Sequence, residues 1–216
     1  MEIRDCFEMN QRNRTNITYN LNIDRLCEKT KNFWQMPIIQ KDDVIPHKLI
    51  GFNYARSNKN KDVGIHFYLD DYQFERVWKY PDRYVEMLQG YECVLSPDFS
   101  LYRDMPMAMK MWNTYRSRLI GTHFQKSGIK VIPTISWADP DTFSFCFEGI
   151  PEGSIVSVST IGVKRNRDSL RIWHEGISEM EKRIKPSYIL IYGGKISFES
   201  NAQVLYYENE VTEKWN

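Results

Sequence analysis

Short apolar, β-branched runs alternate with stretches of helical period along this chain, and that rhythm limits what it can fold into. Val63 to Leu69 (VGIHFYL) alternates in the manner of a strand, and Lys48 to Asn53, Glu92 to Leu95, Ile129 to Ile135, Ser154 to Thr160 and Tyr188 to Tyr192 are further strand candidates. Between them lie helical patterns. Tyr72 to Trp78 and Pro81 to Gln89 read as one broken helix, with Pro81 at a helix start. Pro106 to Ser127 carries Met107, Met111, Tyr115, Leu119 and His123 at a spacing of four, and Gly128 is placed to close it. Asp168 to Ile184 is amphipathic, with Asp168 as its expected N-cap and Pro186 beyond its end.

Strand and helix in alternation, joined by short turns, predict an α/β fold: a mostly parallel sheet flanked by helices. Strand count alone leaves open whether that sheet is flat or bends into a partial barrel. Pro133 removes a ladder donor, so its strand is expected to meet an edge, a bulge or its own end there. Lys195 to Tyr207 reads as a C-terminal β-hairpin. The first stretch is polar and asparagine-rich, and Ile23 to Lys31 reads as a short helix with Leu26 inward. The expected division is a peripheral arm over residues 1–45 and one domain over 46–216, with no internal repeat or low-complexity linker.

Charge narrows the function. Lys and Arg number 29 against 28 Asp and Glu, a net +1, which argues against gripping a duplex by bulk electrostatics. Hydrophobic residues make up 42 % of the 216, enough for a packed core, and no apolar stretch reaches the ~20 residues of a membrane span. Cys6, Cys27, Cys93 and Cys146 form no CxxC pair. With no signal peptide to read, reduced thiols in a cytoplasm are expected, and Cys93 and Cys146 are read as small buried hydrophobes.

In a parallel α/β sheet the loops and helix N-termini converge at the carboxyl ends of the strands, so a site is expected there. The residues just past the predicted strands include Asp70, Asp71, Asp98, Ser100, Ser136 and Trp137. Asp70 and Asp98 are the candidate catalytic carboxylates, because such a pair can hold a divalent metal or divide acid and base roles between them. Asp at a strand end also closes turns through its own backbone, so both roles stay open. Trp137 offers a ring for a planar ligand or, equally, a packed strand end. Ser159 to Arg167 combines a strand end, Thr160, a glycine turn and the cations Lys164 and Arg165, an anion-binding arrangement or else a solvated basic turn. Asn113 and Arg116 share one face of the long helix and are candidates to meet the strand-end acids. No Walker loop, GxGxxG, GxSxG or HExxH is present.

The runs Phe67 to Glu75 (FYLDDYQFE) and Ser96 to Tyr102 (SPDFSLY), with Tyr115 to Arg118, Gly128-Ile129, Val131-Ile132-Pro133, Trp137 and Phe147 to Ile150, resemble a bacterial and phage family known as domain of unknown function 4417, over about Val44 to Gly194. The resemblance implies a protein of phages and other mobile elements and brings no activity with it. Two readings lead, ahead of a divergent metabolic enzyme of the barrel type. In the first, the chain binds or processes a nucleotide or nucleic acid at the strand ends. In the second, it is a non-catalytic counter-defence or regulatory protein that acts on a host protein, with Asp98 and Arg116 as a structural pair. Cofactors stay unknown, a divalent metal among the options.

Overall fold

The structure, a computed structural model, describes residues 11–208, with side chains from Arg14 onward. Seven strands follow one another as β1 (Leu49–Gly51), β2 (Gly64–His66), β3 (Cys93–Leu95), β4 (Val131–Ile132), β5 (Ile155–Ser159), β6 (Tyr188–Tyr192) and β7 (Gln203–Tyr207). Every pairing is parallel, in the order β1-β2-β3-β4 and β5-β6-β7. The two sheets join where Pro133 ends β4. There the Ile135 amide donates to the Ser157 carbonyl at 2.8 Å, and the Ser157 amide donates to the Pro133 carbonyl at 2.9 Å.

The joined sheet curls. Strands β2 and β6 are four steps apart in this order, and at roughly 4.8 Å per step a flat sheet would separate them by about 19 Å. Instead the rings of His66 and Tyr192 lie 4.1 Å apart, and those of Tyr68 and Tyr192 lie 5.0 Å apart. The Tyr68 and Ser157 hydroxyls bond at 2.7 Å across the interior. On the far side the Tyr207 hydroxyl donates to the Pro46 carbonyl, which brings the last strand to the entrance of the first. Side chains alternate accordingly. Leu49, Cys93, Leu95, Ile132, Ile155, Leu190 and Tyr192 fill the interior.

Outside, Ile50, Ile65, Phe67, Val94 and Val131 pack under three helices, α3 (Glu75–Lys79), α4 (Pro81–Leu88) and α5 (Met107–Lys126). Val156, Val158, Ile189 and Ile191 pack under α6 (Phe143–Cys146) and α7 (Arg167–Ile184). The strands are therefore largely apolar on both faces, with His66 and Ser157 as polar groups on the inner side, which is the composition a helix-covered parallel sheet demands. The segment before β1 holds two further short helices, α1 (Gln11–Thr18) and α2 (Leu21–Asp24). It also contributes buried side chains of its own, Ile23 and Ile39 to one outer cluster and Met36 to the other.

The α/β expectation holds, and several details change. The C-terminal strand pair is β6 and β7, and it is parallel rather than a hairpin: residues 193–202 cross back over the sheet end, and Lys195 to Tyr207 yields one strand. Leu26 points outward, 71 % exposed, because α2 stops at Asp24. The N-cap of α7 is Asn166, whose side chain accepts from the Ser169 amide at 2.7 Å; Asp168, inside the first turn, pairs with Arg103 and Arg171 instead. Cys93 and Cys146 are fully buried, and burial pushes both thiols above their ordinary range. Cys6 lies outside the described residues. Among the described residues no helix is long and apolar enough to cross a membrane.

Candidate functional site

A cavity of about 540 Å³ opens at the carboxyl ends of β2, β3, β4 and β5. Asp98, Ser136, Trp137, Tyr68, Trp173 and Asp70 are among the side chains that line it. Among the described residues Asp70 and Asp98 are the acidic ones in its lining, and no basic residue reaches it. Among the described residues no three His, Cys, Asp or Glu side chains cluster as metal ligands would, so the donor set does not fit a dedicated cation cage.

Asp98 is the distinctive group. The Ser136 hydroxyl donates to its Oδ1. Burial raises its carboxyl to about 6, and the neighbouring Asp71 adds to the rise, while the Ser136 bond and the charge of Arg118 work against it. Asp70 projects into solvent from the start of the turn after β2 and makes no side-chain capping bond. Its neighbour Asp71 does the structural work: it accepts from the Ser100 amide at 3.2 Å and from the Ser100 hydroxyl at 2.8 Å, holding the loop that carries Asp98.

Asn113 and Arg116 stand behind that loop and outside the cavity. Asn113 donates to the Ser100 carbonyl at 2.7 Å and accepts from Arg116 at 2.8 Å. Arg116 reaches both oxygens of Glu75 at 2.8 Å and lies 3.8 Å from the centre of the Phe99 ring. The expected pair of Arg116 with Asp98 is therefore not formed; Glu75, one helix away on α3, takes the guanidinium. Ser100 and Trp137 line the cavity as expected. The Trp137 indole N–H donates to the Ile172 carbonyl at 3.2 Å, and its ring lies on Gly176 so closely that a Cβ there would meet Cε2 at 2.1 Å.

The basic segment sits at the cavity's edge. Ile161 and Val163 line the wall, whereas Lys164 and Arg165 are exposed just beyond it and have no ion-pair partner among the described residues. Thr160 is buried and serves as a tie: its hydroxyl donates to the Gly194 carbonyl at 2.8 Å, and its amide donates to the Tyr192 carbonyl at 3.0 Å. Gly193, at φ 112°, makes this approach possible, since a Cβ would lie 2.7 Å from the Thr160 hydroxyl.

Sequence reasoning passed over Tyr68. It lines the cavity from the end of β2, and burial, with the charge of Asp98 next, pushes its hydroxyl well above the ordinary range. The signal was present: Gly64, His66 and Tyr68 share one face of a strand, and the last of them must reach the mouth.

The family described as Domain of unknown function (DUF4417) matches residues 28–208. The chain belongs to that family. Its match extends at both ends beyond the Val44 to Gly194 region that carries the recognisable motifs, and takes in Met36, Ile39 and β7 as well as the cavity. Two curated relatives are phage proteins. The Gene 1 protein of Mycobacterium phage D29 is 40 % identical over 172 residues, 78 % of this chain and 64 % of that protein. The Gene 1 protein of Mycobacterium phage L5 is 39 % identical over 173 residues, 78 % of this chain and 75 % of that protein. The chain thus spans less than two thirds of the D29 relative. No solved structure matches it.

Proposed function

We propose that this protein binds a nucleotide, free or as one unit of a nucleic acid, with the base in the strand-end cavity and the phosphate toward Lys164 and Arg165. The observation that carries this reading is Asp98: a carboxyl raised to about 6, open to a cavity walled by Trp137, Trp173 and Tyr68. Aromatic walls favour a flat ring, and the cavity falls within the roughly 300–1,000 Å³ common for small-ligand sites. Ser136 occupies Oδ1 of Asp98, which leaves the second oxygen to accept from an amino or ring N–H of the base. A group that changes charge near pH 6 can also exchange a proton with a bound ring, so Asp98 is the candidate general acid or base. Ser100 and Asp70 belong to the same wall. Thr160, Asn113 and Arg116 frame it from behind.

The phosphate would lie where Ile161 and Val163 leave the cavity and Lys164 and Arg165 begin. The phage origin of the curated relatives agrees with a nucleic-acid ligand by association only. The host-protein reading drew on the aromatic stretch Tyr80 to Tyr91. Tyr91 is buried and donates to the Ala55 carbonyl, and Tyr84 packs against the core, so Tyr80 is left as its exposed ring.

Calorimetric titration with nucleosides, nucleotides and short single-stranded oligonucleotides tests the proposal. Wild type is expected to bind a nucleotide more tightly as pH rises through 6 and Asp98 ionises, and Asp98→Asn is expected to lose that pH dependence. Absence of binding across the whole panel would overturn it.

A further inference from the structure

Arg118 is the most deeply buried charged side chain described, 1 % exposed, and its hydrogen bonds among the described residues go to backbone carbonyls. Its Nε–H donates to the Glu148 carbonyl at 3.0 Å, Nη1 to Thr134 at 2.9 Å and Nη2 to Cys146 at 2.7 Å. Three of its five N–H groups thus rest on neutral acceptors. A guanidinium taken out of water is costly to the fold unless a negative charge stands near it. One does. Arg118 and Asp98 line the same small hollow behind the cavity wall, about 10 Å³ in volume, together with Ser117, Asn113, Thr134 and Ser136. That is about the room of one water, in polar surroundings that suit one.

We propose that Arg118 is the positioning residue for Asp98: it fixes the end of β4, from which Ser136 reaches the carboxyl, and it faces the same carboxyl across the hollow. The inference deepens the nucleotide reading and rests on it for the importance given to Asp98. The geometry provides both halves. Thr134, held by Arg118, is two residues from Ser136, and its amide is also fixed by the Ser96 hydroxyl at 2.9 Å. Each group also favours the charged form of the other, against the burial that disfavours both. The titratable groups around Asp98 include Tyr68 just past β2, Asp70 and Asp71 from the turn after it, Tyr102 on the same cavity wall, and Arg118 from α5. Arg118 is the cation in this set.

The coupling can be read without any ligand. Nuclear magnetic resonance would follow the Asp98 carboxyl and the Arg118 guanidinium from pH 4 to 8 in the wild-type chain and in Asp98→Asn. The Arg118 signal is expected to move with the midpoint of Asp98 and to stay still in Asp98→Asn. Arg118→Met is expected to raise the Asp98 midpoint by at least about half a unit, whereas a merely structural arginine would leave it unmoved. An Arg118 signal indifferent to the titration of Asp98 overturns the proposal, and so does an unchanged midpoint in a folded Arg118→Met. If Arg118→Met does not fold, the wild type and Asp98→Asn still decide. A guanidinium that tracks Asp98 in a protein that binds no nucleotide supports the coupling and sinks the ligand reading alone.

Discussion

The two sides of the cavity are built on opposite plans. The β2–β4 side brings acids and hydroxyls, and apart from the exposed Asp70 they are held by named neighbours: Asp98 by Ser136, Ser100 by Asp71 and Asn113, and Ser96, behind them, by Ser117 and the Thr134 amide. The β5–β7 side brings Ile161, Val163 and Trp173 to the wall and leaves Lys164 and Arg165 in solvent at its edge. One side is held in place by its own hydrogen bonds, the preorganisation that the proposed proton exchange at Asp98 would use. The other is a loosely held positive edge, suited to drawing in an anion but not to orienting it. Net charge therefore says little about an anionic ligand: what matters is where exposed cations such as Lys164 and Arg165 stand.

The comparison is most easily broken at the ring that joins the two sides. Gly176→Ala sets a methyl group against Trp137, so the indole must leave the wall or α7 must shift. A loss of about 2–3 kcal/mol in urea unfolding is expected, together with loss of ligand binding. Full stability in this variant would mean that Trp137 is free to move and does not define the cavity.

Two acids on the organised side should respond in opposite directions. Asp98→Asn is expected to stabilise the protein at pH 7, by up to about 3 kcal/mol on a rise from 3.8 to about 6. The sign follows from proton binding. The folded chain keeps the Asp98 proton up to about pH 6 while the unfolded chain releases it near 4, so wild-type stability falls as pH rises across that window. Asparagine still accepts from Ser136 and carries no such loss, and its advantage should vanish below pH 4. Asp71→Ala, by contrast, leaves Ser100 without its acceptor and should destabilise by about 1–2 kcal/mol. Chemical denaturation at pH 4, 5, 6 and 7 reads both; a destabilised Asp98→Asn at pH 7 would make that residue part of the frame.

The smallest expected change lies on the other side. Lys164→Ala with Arg165→Ala should leave stability within about 0.5 kcal/mol, because both residues are exposed and unpaired among the described residues. It should weaken nucleotide binding and flatten its salt dependence. Unchanged affinity at low salt would remove the phosphate from this edge.

Much of this arrangement was legible in the sequence. Period-two runs and helical stripes gave the parallel α/β order, and the rule that ligands gather at carboxyl ends led to Asp98, Ser100 and Trp137. The curl was not legible, because it is carried by His66, Tyr68 and Tyr192 meeting across the interior, and a strand apolar on both faces looks the same in a flat sheet and a curved one. Gly193-Gly194 and Ser200-Asn201 resemble the turns of a hairpin, yet residues 193–202 cross back over the sheet end and β7 runs parallel to β6. Partner choice was equally hidden. Arg116 and Arg118 share one helix and two residue numbers' distance, yet one faces Glu75 and the other the strand-end carbonyls, a distinction fixed by tertiary packing.

The bond between Tyr207 and Pro46 spans 161 residues of chain. A fold that joins its last strand to the entrance of its first has to bring together segments that are almost as far apart along the chain as its described length allows, and such long-range contacts slow folding. β1 and β7 have no strand partner on their outer sides among the described residues, and until Tyr207 reaches Pro46 those edges lie apart and open, the feature through which partly folded sheets find one another. Refolding yield should therefore depend on protein concentration, with aggregation competing against closure, and Tyr207→Phe should shift that competition toward aggregation more than it changes the stability of the finished protein.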